Sequence, residues 1–80
     1  MDKKIARHIA RVSFQASTDL GSLIYLLKEH CSQDDYEKLR KPIANVSAAI
    51  GLDILNSIFL EFPDLKRDFD YEIKKYGKII

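Results

Sequence analysis

PIANVSAAIGLDILNSIFL, residues 42–60, carries a single charge, Asp53, in a chain that is 31% charged. A helix in this register is apolar around most of its circumference and must be covered on more than one side. An 80-residue chain forms one domain with a thin core and supplies little of that cover by itself. The one cysteine, Cys31, excludes an internal disulfide, and no Cys/His group has the spacing of a structural zinc site. Oligomerisation is then the remaining staple. A well-packed monomeric bundle is the alternative.

Upstream of that stretch, Ile5, Ile9, Val12, Ala16, Leu20, Leu23 and Leu27 recur at three- and four-residue steps. The spacing predicts one long helix from about Lys3 to His30, with this stripe inward and a bend near Gly21 allowed. Ser32 reads as the N-cap of a second helix, with Asp34 and Asp35 in the first turn, where negative charge suits the dipole. So short a loop makes the two helices antiparallel neighbours. Pro42 lacks an amide proton and disfavours helical geometry at Lys41, so a kink or break is expected there. Phe62-Pro63-Asp64 ends the apolar helix and starts another, with Pro63 at the first helical position. Leu65, Phe69, Ile73 and Tyr76 line this last helix and Gly77 stops it. The two isoleucines of the tail, Ile79 and Ile80, are expected to dock. The fold expected is all-α: a small helical bundle in one domain, residues 1–80, made of a long antiparallel helix hairpin plus a C-terminal helix. The middle helix is kinked or broken at Pro42.

The formal net charge is +1, so no global field argues for nucleic acid or an acidic membrane. The basic start lacks the apolar core of a signal peptide, because Arg7, His8 and Arg11 interrupt it. No run reaches the roughly 20 apolar residues of a membrane span; residues 42–60 come nearest and are interrupted by Asn45, Ser47, Asp53, Asn56 and Ser57. A cytoplasmic protein without a membrane span is expected, and a lone thiol fits a reducing compartment.

Ala44, Ser47, Ala48 and Gly51 form a strip of small residues at helical spacing, continued by Ile54 and Ile58. Small side chains let a second backbone approach closely. The strip is either the seam of a homodimer or an internal crossing with the first helix near Gly21. Lys3, Lys4, Arg7 and Arg11 make a basic stripe, of which Lys4, Arg7 and Arg11 are the candidate nucleic-acid contacts. Four cations without interleaved aromatics are a weak footprint, and a solvated helix face is the favoured explanation. Asp53 has no second acid, histidine or nucleophile paired with it, so a solvated polar face with Asn45, Asn56 and Ser57 is favoured over general acid–base work. The group His30, Cys31, Asp34 and Asp35 holds metal-ligating residue types. However, a thiol at a helix C-terminus lacks the positive dipole end that activates it. Tyr71, beside Lys74 and Lys75, is the first choice for a surface aromatic anchor.

No catalytic, cofactor-binding or metal-ligating constellation stands out. The expectation is a non-enzymatic protein acting by protein–protein association as a regulator, adaptor or inhibitor, and as a homodimer. The alternative is a nucleic-acid-binding dimer that uses the basic first helix. An enzyme would need a pocket converging on Asp53 or on the His30–Cys31–Asp34 group.

Overall fold

A computed structural model describes all of residues 1–80 and contains three helical rods and no strands. The first rod, α1 (Lys3–His30), is one unbroken helix. Asp2 caps it, its carboxylate accepting the Lys4 amide at 2.9 Å, while Lys28 and His30 occupy its last turn, where positive charge suits the dipole. The weak helix formers Ser17 and Gly21 do not divide it. They lie where the second rod crosses, and their small size is what that crossing needs.

The second rod spans Gln33–Glu61 without interruption: α2 (Gln33–Ala49), a π-helical stretch (Ile50–Leu55) and α3 (Asn56–Glu61). Ser32 caps α2 as expected, its hydroxyl accepting the Asp35 amide at 3.2 Å. Of the kink or break expected at Pro42, the break does not occur: α2 continues through it. Pro42 and Lys38, the residue whose carbonyl it fails to bond, are both exposed, so that carbonyl has water within reach.

The irregularity falls further on, in the π stretch, where the Asn56 amide bonds the Gly51 carbonyl five residues back. Ile43, Ser47, Gly51, Leu55 and Phe59 are all half-buried and four residues apart. In an α-helix each step of four overshoots a full turn by about 40°. The wider π turn absorbs that drift and keeps the later residues facing inward. Ser57 closes the local ladder by donating to the Asp53 carbonyl at 2.6 Å.

The third rod, α4 (Pro63–Tyr76), starts with Pro63 in its first turn, as the sequence indicates. Gly77 ends it in the left-handed region, at φ 73°, and its amide bonds the Ile73 carbonyl at 2.8 Å. The core sits at the end of the hairpin that α4 covers. Ala6, Ala10, Ile58, Leu65 and Phe69 are buried there, with Ile9, Leu55, Phe59, Phe62 and Ile79 packed around them. Phe59 meets Phe69 edge to face at 5.5 Å between centroids. Of the tail isoleucines Ile79 docks, whereas Ile80 remains 61% exposed.

The stripe expected to face inward does so only in part: Leu27 is buried and Ile9, Ala16 and Leu20 are half-buried, whereas Ile5, Val12 and Leu23 are exposed. The interior also takes the small residues Ala6, Ala10, Ser13 and Ser17. Helices pair most closely through small side chains, and the larger ones are displaced to the flank.

Candidate interaction surface

The hairpin seam is built from serines. Ser17 Oγ lies 3.0 Å from both the Ser47 carbonyl and Ser47 Oγ, and Ser47 Oγ donates to the Ser17 carbonyl at 2.9 Å. A Cβ placed on Gly21 would lie 3.8 Å from Ser47 Oγ. Ser47 of the small strip therefore works inside the chain, at the crossing near Gly21. Ile58 is also internal, being part of the core. Ala44 and Gly51 are half-buried, although no atom comes within 4 Å of a Cβ built on Gly51. Ala48 and Ile54 are exposed.

The basic stripe meets a ladder of carboxylates on α4. Lys3 pairs with Asp64, and the N-terminal amine lies 3.6 Å from Glu61. Arg7 reaches Glu72 at 3.2 Å and Asp68 at 3.9 Å, with its guanidinium 5.3 Å from the Phe69 ring centroid. The Lys3 ammonium bonded to Asp64 holds that carboxyl below its ordinary value of 3.8, and the amides of Asp64 and Leu65 assist. Arg7, the central member of the stripe, thus faces three partners of its own chain. Arg11 lies 3.3 Å from His8 Nδ1, and Lys4 is exposed. Nothing in the sequence marked these pairs, since Arg7 and Glu72 are 65 residues apart; only the acidic spacing Asp64, Asp68, Glu72 along one face of the last helix hinted at them.

The other candidates do not converge. Asp53, Asn45, Asn56 and Ser57 are all exposed, the solvated polar face favoured above. His30, Cys31, Asp34 and Asp35 are exposed at the turn, and no three His, Cys, Asp or Glu side chains gather as a metal site. A groove of about 450 Å³ is lined by Arg11, Val12, Gln15, Ala16, Asp19 and Ile79, and Asp19 within it accepts from Gln15 at 2.9 Å. It contains neither Asp53 nor the turn group. Tyr71 is 59% exposed and its hydroxyl lies 3.1 Å from Lys75 Nζ.

What distinguishes this molecule is how much apolar surface stays in water. Seven of 80 residues are buried. The accessible surface is 5885 Å², against about 4,900 Å² for a compact monomer of this mass. The radius of gyration is 14.7 Å, against about 11.6 Å for a compact chain of this length. The long rod is the barest part: by length and composition it is apolar enough to cross a membrane, and almost none of its most apolar window is buried. No protein-family model, curated protein or solved structure matches this chain.

Proposed function

We propose that this is a non-enzymatic protein that acts by associating with protein, and in the first place with a second copy of itself. The observation that carries this reading is the surplus of roughly 950 Å² of accessible surface over a compact monomer of equal mass. A standard protein–protein interface buries about 800 Å² on each partner. One partner of ordinary size therefore accounts for the whole surplus.

A nucleic-acid role ranks below this. Its central cation, Arg7, would have to leave two carboxylates and an aromatic ring to reach a phosphate. A membrane span ranks lower too. α1, with its lysines and arginines, packs along the apolar rod, and inserting the rod would strip away that contact and take Asp53 into hydrocarbon. A cytoplasmic setting suits the exposed lone thiol of Cys31.

The test is absolute mass by light scattering over a range of concentrations. The expected result is a species of twice the 9.2 kDa chain that dissociates only on dilution. A strict monomer at every concentration overturns the reading.

A further inference from the structure

The cations Lys3, Arg7 and Arg11 follow one another at four-residue steps along α1, and the first two find acids on α4. Lys3 pairs with Asp64, and Arg7 lies 3.2 Å from Glu72 and 3.9 Å from Asp68. One turn beyond Glu72, α4 offers only Lys75 and Tyr76. The alternation that fastens the two helices therefore runs out at Arg11, which has no ion pair. Lys4, seven residues before Arg11 and on the same line of the helix, has none either.

His8 stands between these two, four residues after Lys4 and three before Arg11, and all three are exposed. With Arg7 and Ile80 they line a cavity of about 150 Å³, and no acidic side chain is among its walls. Arg7 is held by α4, which leaves Lys4, His8 and Arg11 to serve a ligand. Arg11 Nη2 lies 3.3 Å from His8 Nδ1. A guanidinium only donates, so Nδ1 accepts and the neutral ring carries its proton on Nε2. The imidazole thus orients Arg11 and retains a donor of its own. The neighbouring acids of α1 are engaged elsewhere. Asp2 caps the helix, and Asp19, eight residues beyond Arg11 or about 12 Å of helical rise, accepts from Gln15.

We infer that this cavity is a site for a phosphate dianion, free or as the terminal group of a phosphomonoester, held by Lys4, His8 and Arg11. Three features select that chemistry. The two unpaired permanent cations, Lys4 and Arg11, call for two negative charges, which neither a carboxylate nor a phosphodiester carries. The guanidinium fork matches a pair of phosphate oxygens, while the ammonium adds a point charge. The cavity, at about 150 Å³, is well below the roughly 300 Å³ at which pockets for whole small molecules begin, so it takes a charged group and not a nucleoside. The cations are exposed, so the affinity is low, with half-saturation at about 1–10 mM. The site does not depend on the self-association proposed above.

The experiment follows the isotope-labelled full-length protein by NMR while inorganic phosphate replaces chloride at constant ionic strength and a fixed, slightly alkaline pH. The expected result is a saturable shift confined to the amides of residues 4–11 and Ile80 and to the Arg11 side-chain N–H. The double variant Lys4→Gln/Arg11→Gln should raise the half-saturating concentration by more than about tenfold. Lys38→Gln/Lys41→Gln removes the same charge from exposed positions on the second rod and should change it by less than about twofold. Circular dichroism checks that both variants stay helical. Should Lys4→Gln/Arg11→Gln unfold, the wild-type shifts decide, by whether they saturate and centre on Arg11. Methyl phosphate then separates the two sources: binding equal to that of phosphate assigns the site to a phosphomonoester, and failure to bind assigns it to the free ion. Dimethyl phosphate, with one charge, should bind far more weakly, and equal binding overturns the dianion. Shifts that grow without saturating, that chloride reproduces, or that the two double variants lose alike overturn the site.

Discussion

The two sides of the hairpin solve the same problem differently. On one side α4 lies over the small residues Ala6 and Ala10, inserts Leu65 and Phe69, and fastens its rim with Lys3–Asp64 and Arg7–Glu72. The other side presents larger residues, with Val12 52% and Val46 54% exposed, and no helix of the chain lies over them. A short chain with one spare helix can complete one side only.

Removing the cover should have the largest effect. Phe69 is 2% exposed, packs edge to face on Phe59 and lies under the Arg7 guanidinium. Phe69→Ala should cost about 3–5 kcal/mol, a large share of the roughly 4–12 kcal/mol available to a domain of this length. Urea unfolding should show a strongly lowered midpoint, and α4 amides should exchange early. A loss below about 1 kcal/mol would mean that α4 is not what stabilises this end.

How much of this the sequence revealed depends on the range of the interaction concerned. Ser32, Pro63 and Gly77 mark their helix ends because capping is a property of four or five consecutive residues. The length of α1 was readable from the three- and four-residue spacing of its apolar side chains, which is also a local property. Whether Pro42 breaks its helix was not readable, because its effect depends on whether the orphaned Lys38 carbonyl finds water, which is a matter of which face is outward. The π stretch left a trace, the inward residues spaced at four, but that spacing is recognisable only once the inward side is known. The facing of α1 was read rightly for Ile9, Ala16, Leu20 and Leu27 and wrongly for Ile5, Val12 and Leu23, for a physical reason. Ile5, Val12 and Leu23 are the more hydrophobic stripe, yet closeness of approach favours Ala6, Ser13 and Ser17. The ion pairs of Arg7 join residues 65 apart and lay beyond any local reading.

The seam between the two sides offers a middle-sized test. Ser47 exchanges hydrogen bonds with Ser17 and sits against Gly21. Ser47→Leu should force the helices apart at their closest point and cost about 1–3 kcal/mol through overpacking, leaving Ser17 without its partners. Gly21→Ala should be tolerated, because the added carbon would meet Ser47 Oγ at an ordinary 3.8 Å, and the gain in helix propensity is about 1 kcal/mol. Thermal melts of the two variants moving in opposite directions would locate the crossing; both moving down would put it elsewhere.

A smaller effect separates the sides by concentration. Val46→Ala removes two methyl groups from a residue that is half exposed in the single chain, so in dilute solution its cost should be a few tenths of a kcal/mol. If the proposed self-association covers Val46, the same change should cost about 1–2 kcal/mol per chain at concentrations where the dimer fills, since burial is then complete. Melts of Val46→Ala and wild type at two widely separated concentrations measure this. A difference that does not grow with concentration places Val46 outside the interface. Phe69→Ala, on the covered side, should show no such growth.

The weakest expected effect comes from the ion pairs at the rim, and it carries a definite sign. Asp64 is held below its ordinary value by the Lys3 ammonium first and by local amides after it. A carboxyl whose value falls on folding binds fewer protons in the native state than in the unfolded chain. Its contribution is therefore fully present above pH 3.8 and is lost as pH falls through the lower, folded value. Asp64→Asn should accordingly melt slightly below wild type near neutrality, with the gap closing in acid. Salt should narrow the same gap, because both partners are substantially exposed and screened. Lys3→Met should reproduce most of the loss at neutral pH and reduce the acid dependence assigned to Asp64 to the part that the local amides supply. A gap that persists unchanged into strong acid would show that Asp64 acts there through its helix-end position and not through Lys3, and the fastening of α4 would then rest on Arg7 and on Phe69 beneath it.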